Sequence, residues 1–432
     1  MKYLNQDKLM NTSQKIVTIA LMLNFLSNFS FGQGNTPEEL GFSSAKLKQM
    51  ENVIQDLVDN KKLSGVITLI AREGKIVNFK TYGYQDVENK IKIKKNSIFR
   101  MASIAKIITG VAALICYEDG LFLLDDPVNK YIPEFNNLRV IVPEQSVNPT
   151  DSLKTESLKR DITIKDLLTH TAGFLYGDGN SPVDSLYRKA GFETWSGSLH
   201  DFVKKITGIP LAYQPGTKWR YSYSMDIVGY LIEVVTYQPL DVFFERRIFK
   251  PLKMEDTGFF VPDDKLNRLT NYYEYVNDSL KLIEAAENSP FRKRPAALSG
   301  GGGWSDGYGG LVTTALDFSR FLQMILNYGE LDNVRILSPQ SIELLITNQV
   351  HDIQDKAFLS NNFGYGIGVG TSYKVNNGPT TSITWTGGPY NTRYWIDFEN
   401  KIYGIFFTQT GPWGHLGIMF KFSDLTYQAF KK

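Results

Sequence analysis

Serine and lysine stand three residues apart in Ser103-Ile104-Ala105-Lys106, followed by the apolar run Ile107-Ile108-Thr109-Gly110-Val111-Ala112-Ala113-Leu114-Ile115. The run predicts a buried helix, and residues three apart on a helix share a face. The Lys106 ammonium and the Ser103 hydroxyl are therefore expected side by side. Burial penalises the charged form of a lysine. An amine so placed can help take the proton from serine, a poor nucleophile when unassisted. The spacing alone also fits an ordinary helix with a serine near its start.

Two further segments carry side chains suited to the same chemistry. In Pro215-Gly216-Thr217-Lys218-Trp219-Arg220-Tyr221-Ser222-Tyr223, a turn delivers Tyr221 just ahead of a helix. The same residues also read as a plain helix entry, with Ser222 or Ser224 as N-cap and Tyr221 as packing. Further on, Thr384-Trp385-Thr386-Gly387-Gly388 closes an apolar strand and precedes Tyr394-Trp395-Ile396-Asp397. Glycines there would admit a ligand close to the strand backbone, or mark a bulge.

The elements that must position these residues follow from periodicity. Leu47, Met50, Ile54, Leu57 and Val58 predict a helix over 43–60. Strand-like runs at 65–71 and 75–79 flank Arg72-Glu73-Gly74, a hairpin. From 103 to about 290 the pattern is mainly helical, with helices predicted at 164–169, 199–206, 225–236 and 240–249. Helices at 315–328 and 339–348 then precede strands at 364–369, 381–385, 394–398 and 401–408. Strands thus bracket a helical middle. The expected class is α/β (α+β): one antiparallel sheet built from both ends of the chain, flanked by helices, with a mainly helical domain inserted. The sheet part spans about 37–95 and 295–432, and the helical part about 96–294. Gly300-Gly301-Gly302-Gly303 and the glycines up to Gly310 read as a flexible loop; no Lys-Ser/Thr pair follows to make a phosphate cradle.

Composition narrows the function. The 432 residues are 42% hydrophobic and 21% charged, with a formal net charge of +2. Such a balance argues against a nucleic-acid partner or an acidic membrane surface. At the amino terminus, Lys15 precedes the apolar run Ile16-Val17-Thr18-Ile19-Ala20-Leu21-Met22-Leu23-Asn24-Phe25-Leu26, and small and polar residues follow up to Gly34. This predicts a signal peptide over 1–34, with Met1 or Met10 as the start and cleavage near Gln33 or Gly34. No later stretch is long and apolar enough for a membrane-spanning helix, so export to the periplasm or the medium is expected. Cys116 is the single cysteine and reads as a small buried hydrophobe.

Taken in order, S-x-x-K, P-G-T-x-x-x-Y-S and x-T-G-G resemble the serine β-lactamase and penicillin-binding superfamily. More narrowly, the chain is similar to the class C β-lactamase-related branch that includes family VIII carboxylesterases. Leu167-Leu168-Thr169-His170-Thr171-Ala172-Gly173-Phe174 is similar to a further segment of that branch, as are Pro251-Leu252-Lys253-Met254-Glu255-Asp256-Thr257-Gly258-Phe259 and Gly309-Gly310-Leu311-Val312-Thr313-Thr314-Ala315. The resemblance implies a β-lactamase/DD-peptidase-like fold. It also implies that Ser103 is the nucleophile, that Lys106 and Tyr221 share the general base and acid roles, and that the N–H groups of Ser103 and Gly388 form the oxyanion hole. Trp385, Thr386, Gly387 and Tyr223 are the implied substrate contacts. Relatives that recognise penicillin carry Lys or His where this chain has Trp385, and Asn where it has Tyr223. Both departures favour a neutral ester over an anionic lactam or peptide. A carboxylesterase on small esters is thus the leading expectation, ahead of a β-lactamase or D-Ala-D-Ala carboxypeptidase. A sensor-like protein that acylates without turnover is a third reading.

Rival motifs are weaker. Gly303-Trp304-Ser305-Asp306-Gly307 matches G-x-S-x-G, yet that elbow needs a strand before it and a helix after it, and glycines occupy both flanks. His351 or His415 would then supply a base, with Asp317 or Asp397 behind it. His170 reads as a turn-holding residue. The four histidines show no metal-ligand spacing, so no metal or other cofactor is expected.

Overall fold

The computed structural model describes residues 35–142, 153–303, 309–353, 355–356, 363–364, 367–370 and 382–431. The segment read as a signal peptide and the Ser305 motif lie outside the described residues. Helix α1 (Ser44–Asp59) leads into strands β1 (Gly65–Arg72) and β2 (Lys75–Asp86). Helices α2 (Lys106–Glu118) and α3 (Ser224–Thr236) belong to the middle of the chain, with strands β3 (Tyr272–Val276) and β4 (Ser279–Glu284) after them. Helix α4 (Ala315–Leu326) precedes strands β5 (Ser382–Gly387), β6 (Thr392–Asp397) and β7 (Ile402–Thr408), and helix α5 (Ile418–Ala429) closes the described chain.

The hairpin turn at Glu73 (φ 52°) and Gly74 (φ 78°) has two positive φ angles, the twist that joins adjacent antiparallel strands. Seven of the eight β1 residues are buried, because the terminal helices α1 and α5 cover one sheet face and α2 and α4, from inside the chain, cover the other. The period of two sorts them. Ile67, Leu69 and Ala71 enter the larger core, while Val66 and Ile70 enter a second core with α1 and α5. The sheet order is Phe363–Gly364, Ile367–Gly370, β5, β6, β7, β1, β2, Ile91–Lys92, antiparallel throughout. The first and last parts of the chain therefore meet at the β1–β7 ladder, as the bracketing strands predict.

The helical middle departs from its expected pattern in several places, among them a short antiparallel pair, Arg139–Ile141 with Thr155–Ser157. Residues 272–284 form the β3–β4 hairpin, and Thr410–Gly411 pairs with β3 in parallel. The alternation Tyr273, Tyr275 and Leu280, Leu282 around Asn277 (φ 53°) and Asp278 (φ 57°) is its sequence signature. Helix α2 lies at the centre of the larger core, buried from Lys106 to Cys116. The predicted helix at 240–249 is α-helical only over Leu240–Phe244 and widens to a π turn over Glu245–Phe249. Among the described residues no single helix is long and apolar enough to cross a membrane.

Helix α4 packs on the sheet beneath the site, and Asp317 in its first turn is buried. Its Oδ2 accepts from the Asp256 N–H at 2.7 Å and from Thr257 Oγ1 at 2.9 Å. Burial nevertheless dominates and pushes the carboxyl from 3.8 up to about 6. The folded state thus holds a proton that the unfolded chain releases, so stability falls as pH rises from about 4 to 6. Asp317→Asn, which keeps an acceptor oxygen, should flatten that part of a denaturant-melt profile; an unchanged slope would contradict the assignment.

Candidate active site

The turn that carries Ser103 is tied down before it begins. Arg100 is fully buried; its guanidinium donates to Thr270 O at 2.6 Å, to Ser289 Oγ at 3.1 Å and to Glu284. Gln409, at the end of β7, accepts from the Arg100 N–H at 3.3 Å and donates to the Arg100 carbonyl at 3.2 Å. Ala102 then takes φ 49°, a left-handed conformation that an alanine adopts only when its surroundings impose it. Residues Ala102–Ala105 form a 3₁₀ turn, and α2 starts at Lys106. In a 3₁₀ turn, positions three apart eclipse. Ser103 and Lys106 consequently share one face even though the serine precedes the α-helix.

The Lys106 ammonium is 1% exposed and donates to Ser103 Oγ at 3.2 Å and to the Gly301 carbonyl. It lies 4.7 Å from the centre of the Tyr221 ring and 5.9 Å from that of Tyr176. A second buried charge stands behind this contact. Asp226, in the first turn of α3, accepts from the Gly301 N–H at 3.2 Å and from the Ser299 hydroxyl. Gly301 thus links the two, its carbonyl to the ammonium and its N–H to the carboxylate. Burial raises the Asp226 carboxyl above the ordinary range, while Ser299 and the Lys106 charge pull it back. Neither Asp226 nor Tyr176 was expected in the site. The available signal was a lone carboxylate inside the apolar segment Ser224-Met225-Asp226-Ile227-Val228.

Tyr221 arrives from the turn after Trp219 with its ring stacked on Trp219 and tilted against His170, Tyr176 and Trp385. Its hydroxyl is buried and has no hydrogen-bond partner among the described residues. His170 is fully buried behind Tyr221, its Nδ1 3.1 Å from Ser222 Oγ, which is in turn 2.8 Å from Ser224 Oγ. Burial first, and then the Lys106 charge, hold His170 well below its usual range, hence neutral. The expected substrate contact at Tyr223 needs correction. That residue is 2% exposed and packs against Tyr176, Tyr187, Phe192 and Phe202, so it supports the wall of the site from within the core.

Strand β5 brings the third segment alongside. Trp385, Thr386 and Gly388 are half-buried at the surface of the site, and the Trp385 ring centre is 5.4 Å from that of Tyr221. The glycines also make room for parts of this chain. A Cβ on Gly387 would come within 2.3 Å of the Met101 carbonyl and 2.1 Å of Thr392 Oγ1. A Cβ on Gly388 would meet Trp413 at 2.9 Å. It is therefore the serine turn and an aromatic ring, both parts of this chain, that approach the strand. Gly300–Gly302 likewise are close-contact positions and not a flexible loop: added methyl groups would meet Met225 O at 2.4 Å, Asp226 Oδ2 at 2.4 Å and Ala102 O at 2.2 Å.

The rival constellation does not assemble among the described residues. His351 pairs with Asp352 at 3.0 Å, and His415 Nε2 lies 2.8 Å from the Lys62 carbonyl. Asp397 is taken up by Asn400 and by the Tyr427 hydroxyl. No group of three or more His, Cys, Asp or Glu side chains suited to a metal occurs among the described residues.

Gly387→Ala tests whether the strand must touch the serine turn. The added methyl has to displace backbone, so the Ser103-dependent rate should fall by at least about 100-fold, the cost of losing roughly one positioned oxyanion donor. Steady-state kinetics read the loss, and circular dichroism reports whether the fold persists. A near-normal rate in a folded variant would refute the close-packing argument.

A model of the Beta-lactamase family matches residues 50–419. Protein Rv1367c of Mycobacterium tuberculosis (strain ATCC 25618 / H37Rv) is 31% identical over 335 residues, 76% of this chain and 79% of that protein. Esterase EstB of Burkholderia gladioli is 26% identical over 300 residues, 67% of this chain and 72% of EstB. The solved structure of unliganded, selenomethionyl simvastatin synthase (LovD) from Aspergillus terreus superposes with a TM-score of 0.74 at 21% identity, over 90% of this chain and all of that one. With the family model spanning most of its length and carrying all three converging segments, the chain belongs to the Beta-lactamase family.

Proposed function

We propose that this chain is an exported serine carboxylesterase, periplasmic or secreted, that forms an acyl-enzyme on Ser103 with compact neutral esters. The observation that carries the reading is the buried Lys106 ammonium 3.2 Å from Ser103 Oγ, with the Tyr221 hydroxyl, which has no hydrogen-bond partner among the described residues, in the same site. In the reactive form the Lys106–Tyr221 pair is one proton short, an ammonium beside a phenolate, so as Ser103 Oγ attacks the ester carbonyl its proton passes to the Tyr221 oxygen. The N–H groups of Ser103 and Gly388 hold the tetrahedral oxyanion, each contributing about 3 kcal/mol to barrier lowering. Tyr221 then returns the proton to the departing alkoxide. Water attacks the acyl-Ser103 carbonyl by the reverse proton path and frees the acid.

Substrate preference is argued from Trp385. An indole offers apolar area and a single N–H donor, where penicillin-recognising relatives are implied to have a cation for the substrate carboxylate. A neutral ester loses nothing by that exchange. The name of EstB, an esterase, points the same way. Assays should show turnover of p-nitrophenyl acetate or butyrate well above that of nitrocefin or a D-Ala-D-Ala peptide. Ser103→Ala should lower ester turnover by about 10⁴-fold or more. Preferential turnover of the lactam or peptide would overturn the esterase assignment, and a stoichiometric burst without turnover would favour a sensor.

A further inference from the structure

We infer that Trp413 is a specificity-determining residue that receives the acyl chain of the ester; the inference rests on the proposed acyl-enzyme at Ser103. Trp413 is 51% exposed, so core packing does not account for its position. Its indole nevertheless lies against Gly388, close enough that a single added Cβ there would meet Cδ1 at 2.9 Å and Cγ at 3.3 Å. Gly388 is the residue whose N–H is assigned to the oxyanion hole. An exposed aromatic face therefore stands beside the point where substrate charge develops.

The ring is held there by a built support. Asn391 is 2% exposed, and its side-chain amide donates to Thr410 O at 2.6 Å and Pro412 O at 2.8 Å. Its carbonyl oxygen accepts from the Gly414 N–H at 2.8 Å. One side chain thus fastens the turn after β5 to both sides of Trp413. The ring of His415 adds a second tether through Lys62 O at 2.8 Å.

The direction of the acyl chain follows from the placement of the other groups. A tetrahedral centre on Ser103 Oγ has three remaining substituents. The oxyanion faces the Ser103 and Gly388 N–H groups, and the alkoxide must face Tyr221 to receive its proton. Trp385 stands on that Tyr221 side. The acyl chain takes the remaining direction, past Gly388 and over the Trp413 face. Each methylene fully removed from water is worth about fourfold in affinity.

Straight-chain alkylboronic acids of one, three and seven carbons mimic the acyl centre without being turned over, and their binding can be read by competition against p-nitrophenyl acetate hydrolysis. In the wild-type protein affinity should rise with chain length. Trp413→Ala should lower the seven-carbon to one-carbon affinity ratio by about tenfold while leaving methylboronic acid binding nearly unchanged; Trp413→Phe should restore most of the ratio. Asn391→Gly, which keeps the left-handed backbone (φ 56° in the wild type) but removes the clamp, should lower the ratio with Trp413 still present. Equal chain-length dependence in wild type and Trp413→Ala would overturn the inference and leave the Ser103 reading intact. A wild-type protein that binds no boronic acid and hydrolyses no ester would refute both.

Discussion

The structure turns on one buried ammonium. Moving a lysine from water into a protein core costs several kcal/mol unless acceptors and counter-charges surround it. Lys106 has the Ser103 hydroxyl, the Gly301 carbonyl, two tyrosine ring faces and the field of Asp226. Removing any one of these leaves the charge less compensated. The arrangement therefore constrains segments far apart in the chain: the 3₁₀ turn at 102–105, the glycines at 300–302, the Tyr221 turn and the start of α3. Cation, carboxylate and hydroxyl have to be installed together for any of them to be tolerable.

The sheet supplies the rigidity that this arrangement needs. Strands β1 and β7 are buried on both faces, and β5 and β6 extend the same ladder to the site. Arg100 and Gln409 lock the approach to Ser103 onto the end of β7. Thr392 at the start of β6 donates to the Met101 carbonyl at 2.8 Å. The Ala102 conformation is thus held by these two contacts on the residues before it and not by its own preference. Backbone strain at a nucleophile is stable only in such an over-determined setting.

Much of this was legible from residue order alone. The three-residue spacing of Ser103 and Lys106 shares a face in an α-helix and in a 3₁₀ turn alike, so the expectation survives the change of helix type. The bracketing strands announced the sheet because period-two burial is local information. Direction and long-range approach are not local. Tyr223 occupies a motif position, yet its ring turns into an aromatic core that only the packing of 187, 192 and 202 reveals. Gly301 and Gly387 look like loop and bulge residues until the chain segments about 200 and 290 positions earlier are brought against them. Asp226 stood in plain sight as a carboxylate in an apolar helix, and its partner could be found only through Gly301.

The most direct measurement is the site and rate of covalent labelling by a fluorophosphonate, read by peptide mass mapping. The account predicts one phosphonyl group per chain, on the peptide that contains Ser103, formed at least about 100-fold more slowly in a folded Lys106→Met variant. Labelling at Ser305, or labelling of Ser103 at the same rate with Lys106 replaced, would contradict it.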